Sequence, residues 1–285
     1  MKVFVTGASG MTGAQLVSGA RALGWGVAYA SHTDLDITDY AAVEDAICRE
    51  RPDIVFNAAA YTAVDKAEEE VENALSVNSS GAANVARATA LTGAGIVHIS
   101  TDYVFDGTAS VPYRPDDDPR PINVYGESKL AGEIGVREEC ARHLIVRTSW
   151  VYSHEGKNFL LTMLNAANED RDLKVVNDQT GSPTASADLA RALIRAGEKL
   201  VSDDSVAGTY HFSNAGQTTW YGFAREIFRI RGVSPSIEAI STAEFKTSAR
   251  RPRWSVLDCT SFERTFRVSR RSWQGALQAV MGKTP

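Results

Sequence analysis

The sequence predicts an α/β protein with a doubly wound parallel sheet of the Rossmann type and a smaller C-terminal lobe. Its short apolar runs are continuous rather than alternating, which is typical of strands buried on both faces of a parallel sheet. Helix-like segments separate these runs, so the pattern indicates βαβ units with helices on both faces. The strand runs cover residues 2–7, 26–31, 53–61, 95–101 and 143–152, and the helical segments cover residues 12–23, 39–51, 65–92 and 125–142.

The second half of the chain has a looser pattern. Amphipathic helices are predicted at residues 158–170, 186–200 and 219–232, a strand at 208–214, and a loop leading into a short helical region at 250–263. Gly232 stands at the C-cap position of its helix, where glycine is favoured. We predict a first domain over residues 1–152 and a smaller lobe over residues 153–285. The chain is expected to re-enter the first domain near residues 181–215.

Composition argues against several classes of function. The net charge is −5, the pI is about 5.6 and the basic residues are scattered, so no nucleic-acid partner is expected. The three cysteines, Cys48, Cys140 and Cys259, lie far apart without metal-ligand spacing, which indicates free thiols in a reducing compartment. The first apolar run breaks too early for a signal peptide, and no apolar stretch is long enough to span a bilayer. We expect a cytoplasmic protein with no membrane partner.

A glycine-rich stretch, TGASGMTG, follows the first predicted strand with the spacing GxxGxxG. Between a strand and a helix, such glycines permit a tight turn, close backbone approach to a pyrophosphate and close helix–sheet packing. The helix N-terminus then presents unpaired N–H groups and the positive end of its dipole to the phosphates. An ordinary strand–turn–helix is the alternative. The predicted dinucleotide contacts are Gly7, Ser9, Gly10, Met11, Thr12 and Gly13.

The end of the second strand distinguishes NADP from NAD, because an acidic residue there binds the ribose hydroxyls and repels a 2′-phosphate. Here Ser31 and His32 occupy the strand end, and the first acid is Asp34. Both side chains can hydrogen-bond a 2′-phosphate, although no arginine accompanies them, and an exposed loop histidine is the alternative for His32. The sequence favours NADPH, with NADH as the alternative cofactor. Asp36 and Ile37 are predicted to contact the same cofactor.

The stretch VYGESKLAGE, residues 124–133, places Tyr125 and Lys129 four residues apart. In a helix this spacing brings the phenol and the ammonium to one face, within reach of a common partner. Taken alone, the spacing fits equally well a surface tyrosine with a solvated lysine nearby.

Several motifs in order along the chain narrow these alternatives. They are NAAAYTAVDKAE (57–68), STDYVFDG (100–107), NVYGESKLAGE (123–133), RTSWVY (147–152) and NDQTGSPT (177–184). Together with the glycine turn they resemble the extended short-chain dehydrogenase/reductases, and more narrowly the dTDP-4-dehydrorhamnose reductase family. The resemblance covers nearly the whole chain.

The resemblance implies catalytic roles for three side chains. Tyr125 would be the general acid, although a phenol with an ordinary pKa of about 10 is a poor partner at neutral pH. Lys129 would lower that pKa and bind the nicotinamide ribose, and Thr101 would hydrogen-bond the substrate carbonyl.

Binding roles are implied as well. Asp102, Trp150 and Arg251 would contact the substrate, with Arg253 also placed to hold its diphosphate. A core aromatic is the alternative for Trp150, and a solvated loop is the alternative for the two arginines. The resemblance also implies that the dinucleotide lies close to the backbone at Ala58, Ala59 and Ala60, with close helix packing as the alternative. The residues implied to shape the substrate lobe are Asn177, Asp178 and Gln179.

By this resemblance, NADPH delivers hydride to the C4 ketone of a dTDP-4-keto-6-deoxy sugar, and dTDP-4-dehydrorhamnose becomes dTDP-L-rhamnose. The alternatives are reduction of another dTDP-4-keto sugar in antibiotic biosynthesis, sugar-nucleotide epimerisation, and a non-enzymatic NADP-binding regulatory subunit. A dehydratase would need a glutamate where Tyr103 stands. Ala14 and Gln15 stand where members of the family place a magnesium-linked carboxylate at a dimer interface. We therefore predict no metal, and either a monomer or a homodimer.

Overall fold

A six-stranded, all-parallel sheet forms the centre of the computed structural model, which describes residues 1–168 and 172–284. Its strands are β1 (Lys2–Thr6), β2 (Gly26–Ala30), β3 (Ile54–Asn57), β4 (Gly95–Thr101), β5 (His143–Thr148) and, further along the chain, β10 (Gly208–His211). Their spatial order is β10-β5-β4-β3-β1-β2. The strand order reverses between β1 and β3, and ligands of open α/β sheets bind at such a switch point. The predicted fold class is confirmed.

Helices cover both faces of the sheet. Those next to it are α1 (Met11–Ala22), α2 (Tyr40–Glu50), α3 (Val64–Ala67), α4 (Val71–Leu75), α5 (Ala82–Leu91), α6 (Val124–Glu139) and α8 (Ser186–Ser202). Leu16 of α1 and Leu193 of α8 share one buried cluster with inward-facing strand residues, and Val43 of α2 and Val85 of α5 share the cluster on the other face. Burial of both faces explains why most strand runs are continuously apolar.

Two predicted elements differ in detail. Strand β2 lies at the sheet edge and is only partly buried, with Tyr29 51% exposed, so the expectation of burial on both faces is wrong for this strand. The single helix predicted over residues 65–92 is divided into α3, α4, a π-helical turn at Ser76–Gly81, and α5. Asn78 in that turn bonds to the backbone of Tyr61 and to the Ser128 hydroxyl, and these side-chain bonds accompany the irregular backbone.

The remaining elements form a smaller layered cluster. They are β6 (Val151–Tyr152), α7 (Phe159–Asn168), β7 (Leu173–Val176), β8 (Thr180–Gly181), β9 (Thr184–Ala185), β11 (Thr218–Thr219), α9 (Trp220–Arg231), β12 (Ile237–Ile240) and α11 (Trp273–Met281), while α10 (Thr260–Phe266) packs elsewhere. Leu160, Phe223 and Leu277 pack in its core, and Gly232 ends α9 in the left-handed conformation at φ 74°, as predicted. Residues 169 and 170 of the predicted helix at 158–170 lie outside the described residues.

Three elements from the second half of the chain belong to the sheet layer. Helix α8 packs against α1, β10 pairs with β5, and α10 packs against β10 and α8 with Phe262 and Phe266 in the core of the sheet. The domain boundary near residue 152 stays a prediction. Among the residues that the structure describes, no helix is long and apolar enough to cross a membrane.

Candidate functional site

A cleft of about 680 Å³ opens where the chain leaves the carboxyl ends of β1, β3 and β4. Residues from all three strand ends line it, and so do residues of α6 and of the smaller cluster. The predicted residues that it brings together are Gly7, Ser9, Gly10, Met11, Thr12, Gly13, His32, Asp36, Ile37, Ala58, Ala59, Ala60, Thr101, Asp102, Tyr125, Lys129 and Trp150. Six residues given a role from the sequence do not line it: Ser31, Asn177, Asp178, Gln179, Arg251 and Arg253.

The glycine turn is closely packed beside the cleft. Gly7 has φ 65°, and a Cβ added there would lie 2.6 Å from the backbone N of Ala59. A Cβ added at Gly13 would lie 2.1 Å from the Gly7 carbonyl oxygen, so the first turn of α1 lies directly against the strand–helix turn. Helix α1 has no side-chain cap and no acidic residue in its first turn. Its free backbone N–H groups and dipole therefore suit the pyrophosphate of a dinucleotide.

The loop after β2 separates the two residues predicted to accept a 2′-phosphate. His32 lines the cleft, whereas the backbone N–H and the hydroxyl of Ser31 both donate to Asp34 Oδ2, the former over 2.9 Å. Asp34 is exposed, and its carboxylate is held by this local turn rather than in the cleft. Ser31 therefore does not line the cleft, because its backbone N–H and its hydroxyl are bonded to Asp34 within the loop.

Tyr125 lies near the start of α6, which Asn123 caps by accepting the Gly126 N–H over 2.7 Å. Its ring packs edge-on against Tyr103, with centroids 5.7 Å apart. Burial raises the pKa of Tyr125 to about 12; the neighbouring Thr101 hydroxyl opposes this shift and the Asp102 carboxyl adds to it.

Lys129 is 2% exposed, one turn further along α6. Its Nζ donates to the Ile99 carbonyl over 2.7 Å and lies 3.4 Å from His98 Nε2. Burial lowers the pKa of Lys129 to about 8, and the carboxylate of Glu133 opposes that shift. The expectation that Lys129 lowers the pKa of Tyr125 is wrong for this arrangement, because the ammonium is directed at Ile99 and burial dominates at the phenol.

Asp102 directly follows β4 and is 2% exposed. Burial raises the pKa of its carboxyl to about 7, and the nearby hydroxyls of Ser255 and Thr101 only partly offset this. Among the described residues, Oδ2 has no hydrogen-bond partner of good geometry. A buried oxygen of this kind, in a residue that lines a cleft, is suited to a polar group of a ligand.

An aromatic wall closes the side of the cleft formed by the smaller cluster. Trp150 stacks on Trp220 with ring centroids 3.6 Å apart and planes within 5°, and Phe159 packs against Trp220. The backbone of Trp150 is left-handed, at φ 49°, a conformation that large residues rarely adopt. Gly181 makes room for the ring, since an added Cβ there would lie 2.5 Å from it.

Arg251 lies outside the cleft because a carboxylate holds it. Its guanidinium forms hydrogen bonds of 3.0 and 2.7 Å with the two oxygens of Asp65, and a third to the Ala249 carbonyl. The exposed Arg253 lies 3.5 Å from Asp178. Arg251 therefore links the loop before α10 to α3 and is not a lining residue of the cleft.

The residues implied to shape the smaller cluster form an internal network. Asn177 accepts the Thr219 hydroxyl hydrogen bond, and Gln179 accepts one from the Trp220 indole N–H. Asp178 accepts from the backbone and hydroxyl of Thr242. Gln179 is thereby placed behind the aromatic wall, while the three side chains themselves do not line the cleft.

Sequence reasoning missed several lining residues. Tyr103 and Ser100 lie in the STDYVFDG motif next to Thr101 and Asp102, and this adjacency is enough to predict that they line the same cleft. Trp220 and Lys157 carry no comparable signal, because they reach the cleft only through the packing of the smaller cluster. The lining residues not predicted are Leu35, Thr62, Val64, Val77, Ile99, Ser100, Tyr103, Thr148, Val151, Gly156, Lys157 and Trp220. Within residues 1–168 and 172–284, no group of three or more His, Cys, Asp or Glu side chains is placed to hold a metal ion.

A parallel sheet with a glycine-rich first turn, and a threonine, tyrosine and lysine in one cleft, defines an extended short-chain dehydrogenase/reductase. Within that class the chain belongs to the dTDP-4-dehydrorhamnose reductase family: the model described as the RmlD substrate binding domain matches residues 1–284.

Similar proteins cover the chain almost completely. It is 39% identical to the dTDP-4-dehydrorhamnose reductase of Escherichia coli strain K12, over 99% of this chain and 98% of that protein. It is 41% identical to the spore coat polysaccharide biosynthesis protein SpsK of Bacillus subtilis, over 98% and 96%. The solved structure of dTDP-4-dehydrorhamnose reductase from Bacillus anthracis, in complex with NADP, is 38% identical with a TM-score of 0.94, over 99% of each chain. The UDP-glucose 4-epimerase of Thermotoga maritima, at 18% identity and a TM-score of 0.83, shares the fold.

Proposed function

We propose that the protein is an NADPH-dependent reductase of the C4 ketone of a dTDP-4-keto-6-deoxy sugar, converting dTDP-4-dehydrorhamnose to dTDP-L-rhamnose. The observation that carries this proposal is the meeting of Thr101, Tyr125 and Lys129 with the glycine turn in one cleft. The names of the full-length relatives, and the NADP complex of the Bacillus anthracis protein, support the same activity. We also propose a cytoplasmic location, since the described cysteines are free thiols, and action as a monomer or homodimer.

When bound, NADPH supplies the hydride. In the proposed mechanism the Thr101 hydroxyl orients the ketone oxygen, and the Tyr125 phenol donates a proton to that oxygen as negative charge develops on it. The raised pKa of Tyr125 keeps the phenol protonated at neutral pH, so that it can act as a donor. Lys129 binds the nicotinamide ribose through its ammonium.

Two groups of lining residues are proposed to bind different parts of the cofactor. The N–H groups at the start of α1 bind the pyrophosphate, and His32 contacts the 2′-phosphate end. Because Asp34 is bonded within its own turn and Asp36 accepts hydrogen bonds from Thr38, NADPH is preferred and NADH is a weaker alternative. The preference is measured by comparing kcat/KM for the two cofactors.

Lys157 offers a testable cofactor contact. It is exposed at the cleft rim, next to Gly156, whose added Cβ would lie 3.3 Å from Met11 Cγ, so the loop reaches the glycine turn. Its ammonium complements the cofactor phosphates. We expect Lys157→Gln to raise the Kd of NADPH by about three- to tenfold at low salt, and by less at high salt. Fluorescence titration of NADPH at two ionic strengths measures this.

The matched control for this prediction is Lys174→Gln. Lys174 is an exposed lysine that is not a lining residue of the cleft and pairs with Glu238 over 3.5 Å. It should leave NADPH affinity unchanged at both ionic strengths. Equal affinity of wild type and Lys157→Gln would remove Lys157 from the binding site.

The decisive assay follows nicotinamide absorbance with a panel of nucleotide-linked 4-keto sugars. We expect NADPH oxidation with dTDP-4-dehydrorhamnose and identification of dTDP-L-rhamnose as the product. Turnover with a different 4-keto sugar alone would reassign the substrate. Tight NAD(P) binding with interconversion of two nucleotide sugars and no net cofactor oxidation would indicate an epimerase. No turnover together with stable binding to another protein would indicate a regulatory subunit.

A further inference from the structure

A row of buried polar side chains crosses the centre of the sheet, and the proposed chemistry does not use it. Thr6, Asn57 and His98 occupy one register across β1, β3 and β4. Their exposed fractions are 1%, 1% and 0%. Thr6 Oγ1 donates to Asn57 Oδ1 over 2.7 Å, and Asn57 Nδ2 lies 3.1 Å from His98 Nδ1. Apolar side chains would fill these positions at lower desolvation cost, so the row calls for a functional explanation.

The row ends at the proposed catalytic lysine. His98 Nε2 lies 3.4 Å from Lys129 Nζ, at the long end of hydrogen-bond distances, while Nζ also donates to the Ile99 carbonyl. Burial and the adjacent Lys129 hold the pKa of His98 well below its usual range, so the imidazole is neutral. A neutral imidazole has one N–H and one bare nitrogen, and the proton position depends on both neighbours.

The three side chains of the row can hydrogen-bond with Lys129 both as a charged ammonium and as a neutral amine. An ammonium at Lys129 donates to a bare Nε2, so Nδ1 carries the proton and donates to the Asn57 side-chain oxygen. An amine at Lys129 accepts from Nε2–H, so Nδ1 is bare and accepts from the Asn57 amide. Rotation of the amide by half a turn interchanges these arrangements, and the Thr6 hydroxyl can donate in one and accept in the other.

We propose that His98 is a positioning residue for Lys129: the imidazole, oriented by Asn57 and Thr6, holds the lysine Nζ beside the Ile99 carbonyl and remains hydrogen-bonded to it in both charge states. This inference rests on the proposed reductase function for its kinetic consequence, because a displaced lysine would no longer meet the nicotinamide ribose and the tyrosine together. Its structural consequence, the titration of Lys129, does not depend on turnover.

The charged surroundings of Lys129 are few. Glu133 on its own helix raises the proton affinity of Lys129, and it is itself held by Arg147 of β5 through two hydrogen bonds of 2.8 Å. The turn at Ser76–Gly81, packed against α6, contributes no titratable side chain. Glu133 also accepts from Arg137 over 2.9 Å. The other titratable or charged side chains of elements packed against α6 are Asp65, Lys66, Glu72, Arg87, His98, Asp102, Tyr103 and His143, and those on α6 itself are Tyr125, Glu127, Arg137, Glu138 and Glu139.

The experiment compares His98→Leu with His98→Gln by NMR titration of the Lys129 side chain, whose resonance is assigned by its loss in Lys129→Arg. Leucine removes the hydrogen bond to Lys129 in both charge states, and the bond to the ammonium is the stronger of the two, so we expect the proton affinity of Lys129 to fall about tenfold, a shift of about one pH unit downward. Glutamine retains an acceptor and should restore a titration close to wild type. If the leucine variant does not fold, His98→Met replaces it, since it has similar volume and no nitrogen.

Kinetics provide the second readout. At pH 7, kcat of the leucine variant should fall about ten- to a hundredfold, with KM for the sugar little changed, and the basic limb of its pH profile should move to lower pH. The matched control is His143→Leu: this half-buried histidine lies 2.7 Å from the Cys140 carbonyl oxygen through Nδ1, and it is not a lining residue of the cleft. It should lower stability without moving either readout.

Each outcome decides the inference. An unchanged Lys129 titration in His98→Leu, or an equal shift in His143→Leu, would overturn it. Failure of the wild type to reduce any 4-keto sugar would reject the proposed function, while the NMR titration would still decide whether His98 positions the lysine.

Discussion

Replacement of Tyr125 by phenylalanine is expected to lower kcat for ketone reduction by about 10²–10⁴-fold, the usual contribution of general acid catalysis. The phenol is the proposed proton donor beside Thr101, and burial, which raises its pKa to about 12, keeps it protonated throughout the neutral range. Phenylalanine keeps the edge-on packing against Tyr103, whose ring lies 5.7 Å away. The loss should therefore fall on kcat, with the Kd of NADPH nearly unchanged. Steady-state kinetics and a cofactor titration separate the two.

Tyr152→Phe is the matched control. The Tyr152 hydroxyl is also buried and has no hydrogen-bond partner among the described residues, and Tyr152 does not line the cleft. Removal of that hydroxyl should leave kcat unchanged. Near-full activity of Tyr125→Phe would show that the proton reaches the ketone oxygen from another group, and would make the Tyr125–Lys129 pair structural.

The fold was largely predictable because its signals are local. Strands β1, β3 and β4 are mostly apolar and do not alternate between polar and apolar residues, and Gly7 follows β1 at the point where only a residue tolerant of φ 65° and of backbone contact fits. The division of residues 65–92 was not predictable in the same way. It depends on Asn78 bonding to Tyr61 and to Ser128, a residue 50 positions further along the chain.

The site was predictable where its residues come from consecutive strand ends, and less so where partners are distant in sequence. Arg251 is held by Asp65, 186 positions away, and that competing carboxylate gave no signal in the arginine's own segment. The prediction that Lys129 lowers the pKa of Tyr125 is wrong for a related reason. A spacing of four residues places Lys129 on the same helix face, but the Ile99 carbonyl, on another element, determines where the ammonium points.

Asp102→Asn is expected to stabilise the protein at pH 8, by up to about 4 kcal/mol in the free energy of unfolding. Burial raises the pKa of this carboxyl from 3.8 to about 7. Between these values the folded state retains a proton that the unfolded state has released, so the stability of the wild type falls as pH rises through that window. Asparagine resembles the neutral carboxyl in shape and has no charge to bury. Denaturant unfolding of both proteins from pH 4 to pH 8 measures the difference.

The difference should be smallest near pH 4 and fully present above about pH 7, and that pH dependence separates a buried charge from a simple change in packing. Asp106→Asn is the control with the opposite sign, because hydrogen bonds from Thr108 and Tyr113 lower the pKa of Asp106, so its loss should destabilise the protein at pH 8. If the free energies of unfolding of wild type and Asp102→Asn depended on pH in the same way, the result would contradict a raised pKa.

The carboxyl of Asp102 lies beside Thr101 in the cleft and costs folding energy at pH 8, so its presence is explained by a role other than stability. The same substitution should therefore raise KM for the nucleotide sugar while it stabilises the fold.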